Sequence, residues 1–197
     1  MTALVLASAS PRRRELLERI GLAIEVDPSD VDERVHPGET PDGYVVRIAR
    51  AKAFAAPRGD RWVLAADTTV TLDGSILGKA ESVSQATDMV RYLAGRTHQV
   101  LTAFVVIGRR GDAEVARVVS TDVTMIDLDA DAAADYVASG EWRGKAGGYA
   151  IQGIGAALVR EIRGSVTNVV GLPLAEVVAA LREIGGPLPR FAQGVPA

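Results

Sequence analysis

The sequence predicts an α/β fold built on a mixed sheet, and three observations carry that prediction. Short apolar runs at residues 3–7 and 62–66 alternate with stretches of helical apolar spacing, the pattern of strands and helices packed in layers. Asp73-Gly74 lies between two apolar segments, and Asp-Gly is a strong local signal for a tight hairpin. Residues 99–107 and 115–126 are rich in Val, Thr and Ile and are separated only by Gly-Arg-Arg-Gly-Asp-Ala-Glu, which reads as a long antiparallel hairpin. Hairpins inside an alternating pattern argue against a purely parallel sheet.

Taken in order, residues 3–7 form a buried strand that leaves into Ser8-Ala9-Ser10-Pro11. Ser10 suits an N-cap and Pro11 the first helical position, where a missing N–H costs nothing. Leu16, Leu17 and Ile20 then mark one helical face, and Gly21 stops it. A strand over 22–26 precedes a polar, Pro- and Gly-punctuated segment that belongs on the surface. Thr40-Pro41 repeats the cap-plus-proline start, and Tyr44, Val45, Ile48 and Ala55 define the next helical face. Residues 62–66 form a buried strand ending at Asp67-Thr68-Thr69. A helix over 84–93 carries Ala86, Met89, Val90 and Leu93 at helical spacing.

Residues 129–139 predict a short helix closed by Gly140. The five glycines of 143–156 indicate a loop or an irregular strand start whose backbone comes close to something. A strand over 157–162 and an amphipathic helix over 173–184 complete the order. Residues 1–185 read as one domain and 186–197 as a flexible C-terminal tail.

Composition narrows the function. A chain of 197 residues with 48% hydrophobic content can bury a sizeable core. A formal charge of −3 with 5% aromatic residues offers neither the basic field nor the stacking platforms of a nucleic-acid binder, so anion affinity must come from local Arg and Lys. There is no cysteine and there are two histidines, His36 and His98, which excludes thiolate chemistry and leaves little for a histidine metal cage. Both histidines read as structural or surface residues. No apolar run approaches the ~20 residues of a membrane span. The expectation is a cytoplasmic protein with no membrane and no nucleic-acid partner.

Four constellations bear on chemistry. Arg12 and Arg13 stand in the first turn of a helix, where positive charge opposes the helix dipole and N–H groups attract anions. Either they bind phosphate, or they are solvated and paired with Glu15 or Glu18. Asp67 ends an apolar strand, so it either serves a ligand at a strand end or caps the turn through Thr68 or Thr69. Gly-Ser-Ile-Leu-Gly-Lys lacks the spacing and the Ser/Thr of a phosphate-binding P-loop, which leaves Lys79 as a point charge on a loop. Asp27, Asp30, Asp32 and Glu33 form an acidic run of the kind that is usually a solvated loop. Lys52 lies near an apolar helical face, either snorkelling past the core or directed into a cleft. A dinucleotide-binding reading fails because GxGxxG is absent.

Ser8-Ala9-Ser10-Pro11-Arg12-Arg13, Ala66-Asp67-Thr68, Leu77-Gly78-Lys79, Ala150-Ile151-Gln152-Gly153 and Asn168 to Pro173, in that order along most of the chain, resemble the Maf family of nucleoside triphosphate pyrophosphatases. The resemblance implies an elongated, twisted mixed sheet flanked by helices, with two lobes around a central nucleotide cleft, a Maf/ITPase-like fold. It implies hydrolysis of dTTP and UTP to the monophosphate and pyrophosphate, with a divalent cation, Mg²⁺ or Mn²⁺. By the same resemblance Asp67 is the general base, Glu33 and Asp67 lie at the metal, and Ser8, Arg12, Arg13, Lys52 and Lys79 surround the triphosphate. Arg12, Thr68 and Gln152 match the positions that select dTTP and UTP, and a Gln amide can donate and accept along a pyrimidine edge. Ala80, Gly148, Ala150 and Val166 depart from the family's usual residues. A homodimer is compatible with this reading. The rival readings are a nucleotidyltransferase, which would carry a glycine-rich loop where this chain has Ser-Ala-Ser-Pro, and a non-catalytic regulator of septum formation, which would not need Asp67.

Overall fold

The computed structural model describes residues 4–57, 59–111 and 113–189. Strands β1 (Leu4–Leu6), β2 (Ile24–Val26), β3 (Trp62–Leu72), β4 (Ser75–Leu77), β5 (Thr97–Ile107), β6 (Glu114–Met125) and β7 (Val159–Arg163) form one mixed sheet. Its order is β2-β1-β3-β5-β6-β7, with β4 on β3. Among the described residues only β1 pairs in parallel, with β2 and with β3; every other pairing is antiparallel. The helices are α1 (Pro11–Arg19), α2 (Pro41–Ala55), α3 (Val83–Leu93), α4 (Ala130–Ala138), α5 (Val166–Val170) and α6 (Leu174–Glu183). No helix among the described residues is long and apolar enough to cross a membrane. Of the expected tail, residues 190–197 lie outside the described residues.

Alternation along the central strands assigns the layers, because successive side chains point to opposite faces. Val5, Ala7, Val63, Ala65, Ala103 and Val105 pack against Val45, Ile48, Ala49 and Ala53 of α2. Leu4, Leu6, Leu64, Ala66, Phe104 and Val106 pack on the other face against Leu16 and Leu17 of α1 and Val177, Ala180 and Leu181 of α6. A second lobe gathers Val70, Leu72, Val100 and Val123 from the far half of the sheet with Ala86, Val90 and Leu93 of α3 and Ala133 and Val137 of α4. Between the two lobes the apolar pattern of β3 and β5 is broken by Thr68 and Thr102.

Two local expectations are corrected, and one helix was not expected. β3 does not end at Ala66; it runs through Asp67, Thr68 and Thr69 to Leu72, because β5 pairs with it without a break from Val63↔Ile107 to Thr71↔Gln99. What stops is its parallel neighbour: β1 covers β3 as far as Leu64, and β4 begins only at Val70. Asp67 therefore stands in a gap at the sheet edge, past the carboxyl end of β1, rather than at the end of its own strand. Residues 153–158 are a 3-10 helix before β7, where a strand start was expected. The five-residue helix α5 went unread, since its Val- and Thr-rich sequence carries low helix propensity.

Candidate active site

The gap in the edge of β3 opens into a cavity of about 520 Å³, a size that suits a small-molecule ligand. The nine residues that the family resemblance places at a site all line it: Ser8, Arg12, Arg13, Glu33, Lys52, Asp67, Thr68, Lys79 and Gln152, whereas Asp27, Asp30 and Asp32 of the acidic run do not. The nine come from six separate segments: the turn after β1 with the start of α1, the acidic loop before α2, α2 itself, β3, the turn after β4 and the glycine-rich loop.

The acid–base cluster is built on α2. Lys52 is buried, and its Nζ lies 2.6 Å from Glu33 Oε1 and 2.8 Å from Asp67 Oδ1. The buried ammonium is tolerated because two carboxylates compensate it. The snorkelling alternative is thereby excluded. Glu33 belongs to the acidic loop, which α2 holds in place: Tyr44 Oη donates to Glu33 O at 3.1 Å, Arg47 Nη2 donates to Arg34 O at 2.9 Å, and Ser29 Oγ donates to Lys52 O at 3.0 Å. Lys79 Nζ reaches Glu33 Oε2 at 3.3 Å and is largely exposed. Burial raises the Glu33 pKa, but the hydrogen bonds and charges of Lys52 and Lys79 outweigh it and leave the carboxyl below its ordinary range.

Arg12 and Arg13 have different surroundings. Arg13 is buried. Its Nε donates to Gly171 O at 2.8 Å, Nη1 to Ser8 Oγ at 3.0 Å and Ala66 O at 2.8 Å, and Nη2 to Thr68 Oγ1 at 2.9 Å. Four of five N–H groups are thus spent on the protein. This narrows the expectation that Arg13 meets phosphate to one remaining N–H, and makes it the tie between the turn after β1, the uncovered edge of β3 and the end of α5. Neither arginine pairs with Glu18; that acid takes Arg14, and Glu15 takes Arg19. Arg12 is half-buried at the cavity. Burial lowers its pKa, with Glu15 acting in the opposite direction.

Thr68 reaches the cavity, but its hydroxyl is engaged. It accepts from Arg13, shares a 2.9 Å hydrogen bond with Thr102 and lies 3.4 Å from Gly171 O. Ser8 Oγ accepts from Arg13 and, at 3.3 Å, from Ser10 N, which leaves its own O–H proton for a ligand. Ser10 occupies the N-cap position without a side-chain cap bond.

The other wall is the glycine-rich loop. An isolated antiparallel bridge joins Lys79 to Ala146, and Gly147 N donates to Leu77 O and Gly78 O. Gly147 has φ +70, and a Cβ there would lie 3.0 Å from Val70, so the glycine allows the loop to lie against β3. Tyr149 is anchored by a 2.6 Å hydrogen bond to His98 Nε2. Glu141 closes the far end, accepting from Ile154 N at 2.8 Å and Gly155 N at 2.9 Å. This holds Gln152, just before the 3-10 helix, exposed at the cavity.

Sequence reasoning missed Lys145, Arg143 and Tyr149, which also line the cavity; the crowd of glycines around them was the available signal. It also gave no role to Asn168. That residue is fully buried, and its Nδ2 donates to Val100 O at 2.9 Å and Thr121 Oγ1 at 3.0 Å. It pins α5, and with it the Gly171 carbonyl that receives Arg13.

Residues 3–184 match the family described as "Maf-like protein". A protein of Anaeromyxobacter dehalogenans strain 2CP-1 named dTTP/UTP pyrophosphatase is 57% identical over 190 residues, covering 94% of this chain and 96% of its own. Proteins of the same name from Methylobacillus flagellatus and Myxococcus xanthus are each 49% identical, the first covering 96% of both chains and the second 95% of both. The solved structure of the Staphylococcus aureus Ham1 protein is similar over 64% of this chain and 72% of its own, at 17% identity and a TM-score of 0.44. A match over nearly the whole length, on a fold whose cleft gathers the same motif residues, leads to one conclusion: this chain belongs to the Maf family.

Proposed function

We infer that the protein is a nucleoside triphosphate pyrophosphatase that hydrolyses dTTP and UTP to the monophosphate and pyrophosphate. The observation that carries this reading is the Glu33–Lys52–Asp67 cluster inside a cavity whose other charged lining residues are all cations. Relatives named dTTP/UTP pyrophosphatase across almost the full chain support the substrates. Residues 1–185 are taken as one unit, because the cleft draws on positions from Ser8 to Gly171.

The residues fit a divalent cation. Glu33 and Asp67 present hard oxygen donors to the same ammonium, and a magnesium-like ion needs only one or two carboxylates when phosphates and water complete its shell. Among the described residues no group of three acids or histidines forms a protein-only cage, so the site would be completed by substrate. Glu33 and Asp67 would hold the ion, which when bound supplies charge neutralisation at the phosphates and a more acidic water.

The chain's own residues account for the rest. A triphosphate carries about four negative charges, which repel an incoming nucleophile. Arg12, Lys52 and Lys79 offset that repulsion, the Ser8 hydroxyl donates to a phosphate oxygen, and Arg13 holds Ser8 and Thr68 in place. Lys52 fixes one Asp67 oxygen and leaves the other to take the proton of a water attacking the α-phosphorus. The new P–O bond forms as the bond to the bridging oxygen breaks, and pyrophosphate leaves. Gln152 and Arg12 read the pyrimidine, while Thr68 acts through its hold on Arg13, its hydroxyl being spent.

The test is to incubate the protein with a panel of canonical and modified nucleotides and Mg²⁺ or Mn²⁺, and to follow pyrophosphate and single phosphate separately. Pyrophosphate from dTTP and UTP is expected; single phosphate, or no turnover of either nucleotide, would overturn the reading.

A further inference from the structure

We propose that Lys145 is a further substrate-binding residue, holding the phosphate chain from the glycine-rich wall while Arg12 holds it from the turn after β1. The proposal rests on the reading of the site as a triphosphate pyrophosphatase and adds a ligand to it.

Position is the first argument. Lys145 lines the cavity, and its neighbour Ala146 is bridged to Lys79, so the two lysines approach the cleft from adjoining backbone. Lys145 Nζ donates to Glu141 O at 2.5 Å and Arg143 O at 3.4 Å, which fixes the ammonium and leaves a third proton.

Charge is the second. Lys52 is matched by Glu33 and Asp67, and Lys79 by Glu33. The partners of Lys145 are neutral carbonyls, and the nearby Glu141 carboxylate is already occupied by Ile154 N and Gly155 N. Burial lowers the Lys145 pKa, and the positive charge of Arg12 lowers it further, against a smaller opposing effect of Glu141. Two half-buried cations that repel each other across a cavity are stabilised by an anion between them. With Lys145 and Arg143 included, six cations face two carboxylates in the cavity, an excess that matches the charge of a triphosphate.

Two variants separate charge from tether. Lys145→Gln keeps an N–H donor for the Glu141 carbonyl and removes the charge, whereas Lys145→Arg keeps both. Steady-state hydrolysis of UTP, dTTP and CTP is measured by pyrophosphate release, with inorganic pyrophosphate as competitive inhibitor. Lys145→Gln is expected to raise KM for every nucleotide and the inhibition constant of pyrophosphate by about ten- to a hundredfold, as for loss of a charged hydrogen bond, with kcat and the order of preference little changed. Lys145→Arg is expected to stay close to the wild type. The proposal is overturned if Lys145→Gln leaves both constants unchanged, if Lys145→Arg loses as much as Lys145→Gln, or if the order of preference changes while pyrophosphate inhibition does not. A wild-type protein that releases no pyrophosphate would overturn the functional reading instead. Calorimetric binding of inorganic pyrophosphate to wild type and Lys145→Gln would then still decide the role of Lys145.

Discussion

The two walls of the cleft are built in different ways. The first, formed by the turn after β1, α2 and the edge of β3, uses side chains already committed to one another. Arg13 makes four hydrogen bonds to neutral oxygens, and Lys52 stands between two carboxylates. The second wall, residues 141–155, is a loop whose shape depends on glycines at positive φ and on a few anchors at its ends: the Lys79–Ala146 bridge, the His98–Tyr149 hydrogen bond and the Glu141 clamp. A preorganised wall suits reaction chemistry, where groups must stand ready for developing charge. A loop on a rigid scaffold suits recognition, where the reading group must meet a ligand edge. Under the proposed function the reacting groups stand on the first wall, and Gln152, which is proposed to read the nucleotide together with Arg12, stands on the second.

The largest effect expected is on the first wall. Asp67→Asn should lower the rate of pyrophosphate release by about a thousandfold, with circular dichroism and thermal melting showing an intact fold. Near-normal turnover in that variant would remove the general base from the proposed reaction.

Arg13→Ala should cost about 4 kcal/mol of stability in denaturant unfolding, because it strands buried partners at Ala66, Gly171, Ser8 and Thr68. Arg12→Ala should change stability by less than about 0.5 kcal/mol while weakening nucleotide binding. Equal stability losses in the two variants would erase the distinction between these neighbouring residues.

Acid should loosen the second wall first. Burial holds the His98 pKa down at about 4 against an ordinary 6.5. The unfolded chain therefore binds the extra proton across that interval. Stability falls as pH drops from about 6.5 towards 4, by up to about 3 kcal/mol. Hydrogen exchange should show earlier loss of protection around Tyr149 than along β1 and β3. A His98→Asn variant should flatten that part of the pH profile.

Smaller effects sharpen the recognition role. Gly153 has φ +74, and a Cβ there would lie 2.2 Å from Glu141 Oε1. Gly153→Ala should therefore cost about 2 kcal/mol and disturb nucleotide preference by displacing Gln152. Gln152→Ala should alter the ratio of UTP to CTP turnover by about tenfold and leave stability unchanged. Unaltered relative rates in both variants would separate this loop from selection of the nucleotide.

Legibility followed the range of the interactions. The prolines that open α1 and α2, the Thr40 cap, the Asp73-Gly74 hairpin and the β5–β6 pair were readable because each depends on neighbouring residues or simple alternation. β3 was broken too early in the reading, because Asp67-Thr68-Thr69 looks like a turn until β5 is known to pair across it. Among site residues, Asp67 and the two arginines stood out by local incongruity, an acid after an apolar strand and two cations at the wrong end of a helix. Lys52, Lys79 and Glu33 stood between a bland and a functional reading, and Thr68 and Gln152 had no ligand role, until the family resemblance gave them one. Lys145 gave no such sign, since a lysine among glycines is ordinary in a loop, and Asn168 entered only as the first residue of a resembling motif, with no role attached.

The sequence by itself determined the layered α/β class, most elements and most of the candidate site residues, Lys145, Arg143 and Tyr149 excepted, because these follow from periodicity, turn chemistry and ordered motifs. Tertiary structure alone decided how the charges are used. Arg12 and Arg13 are chemically identical neighbours, yet the carbonyls that consume Arg13 come from Ala66 and Gly171, 53 and 158 residues away. Lys52 becomes part of the site only when an acidic loop and a distant strand bring two carboxylates to it. Local sequence specifies which charges exist; long-range packing and desolvation specify which are neutralised and which remain for a ligand.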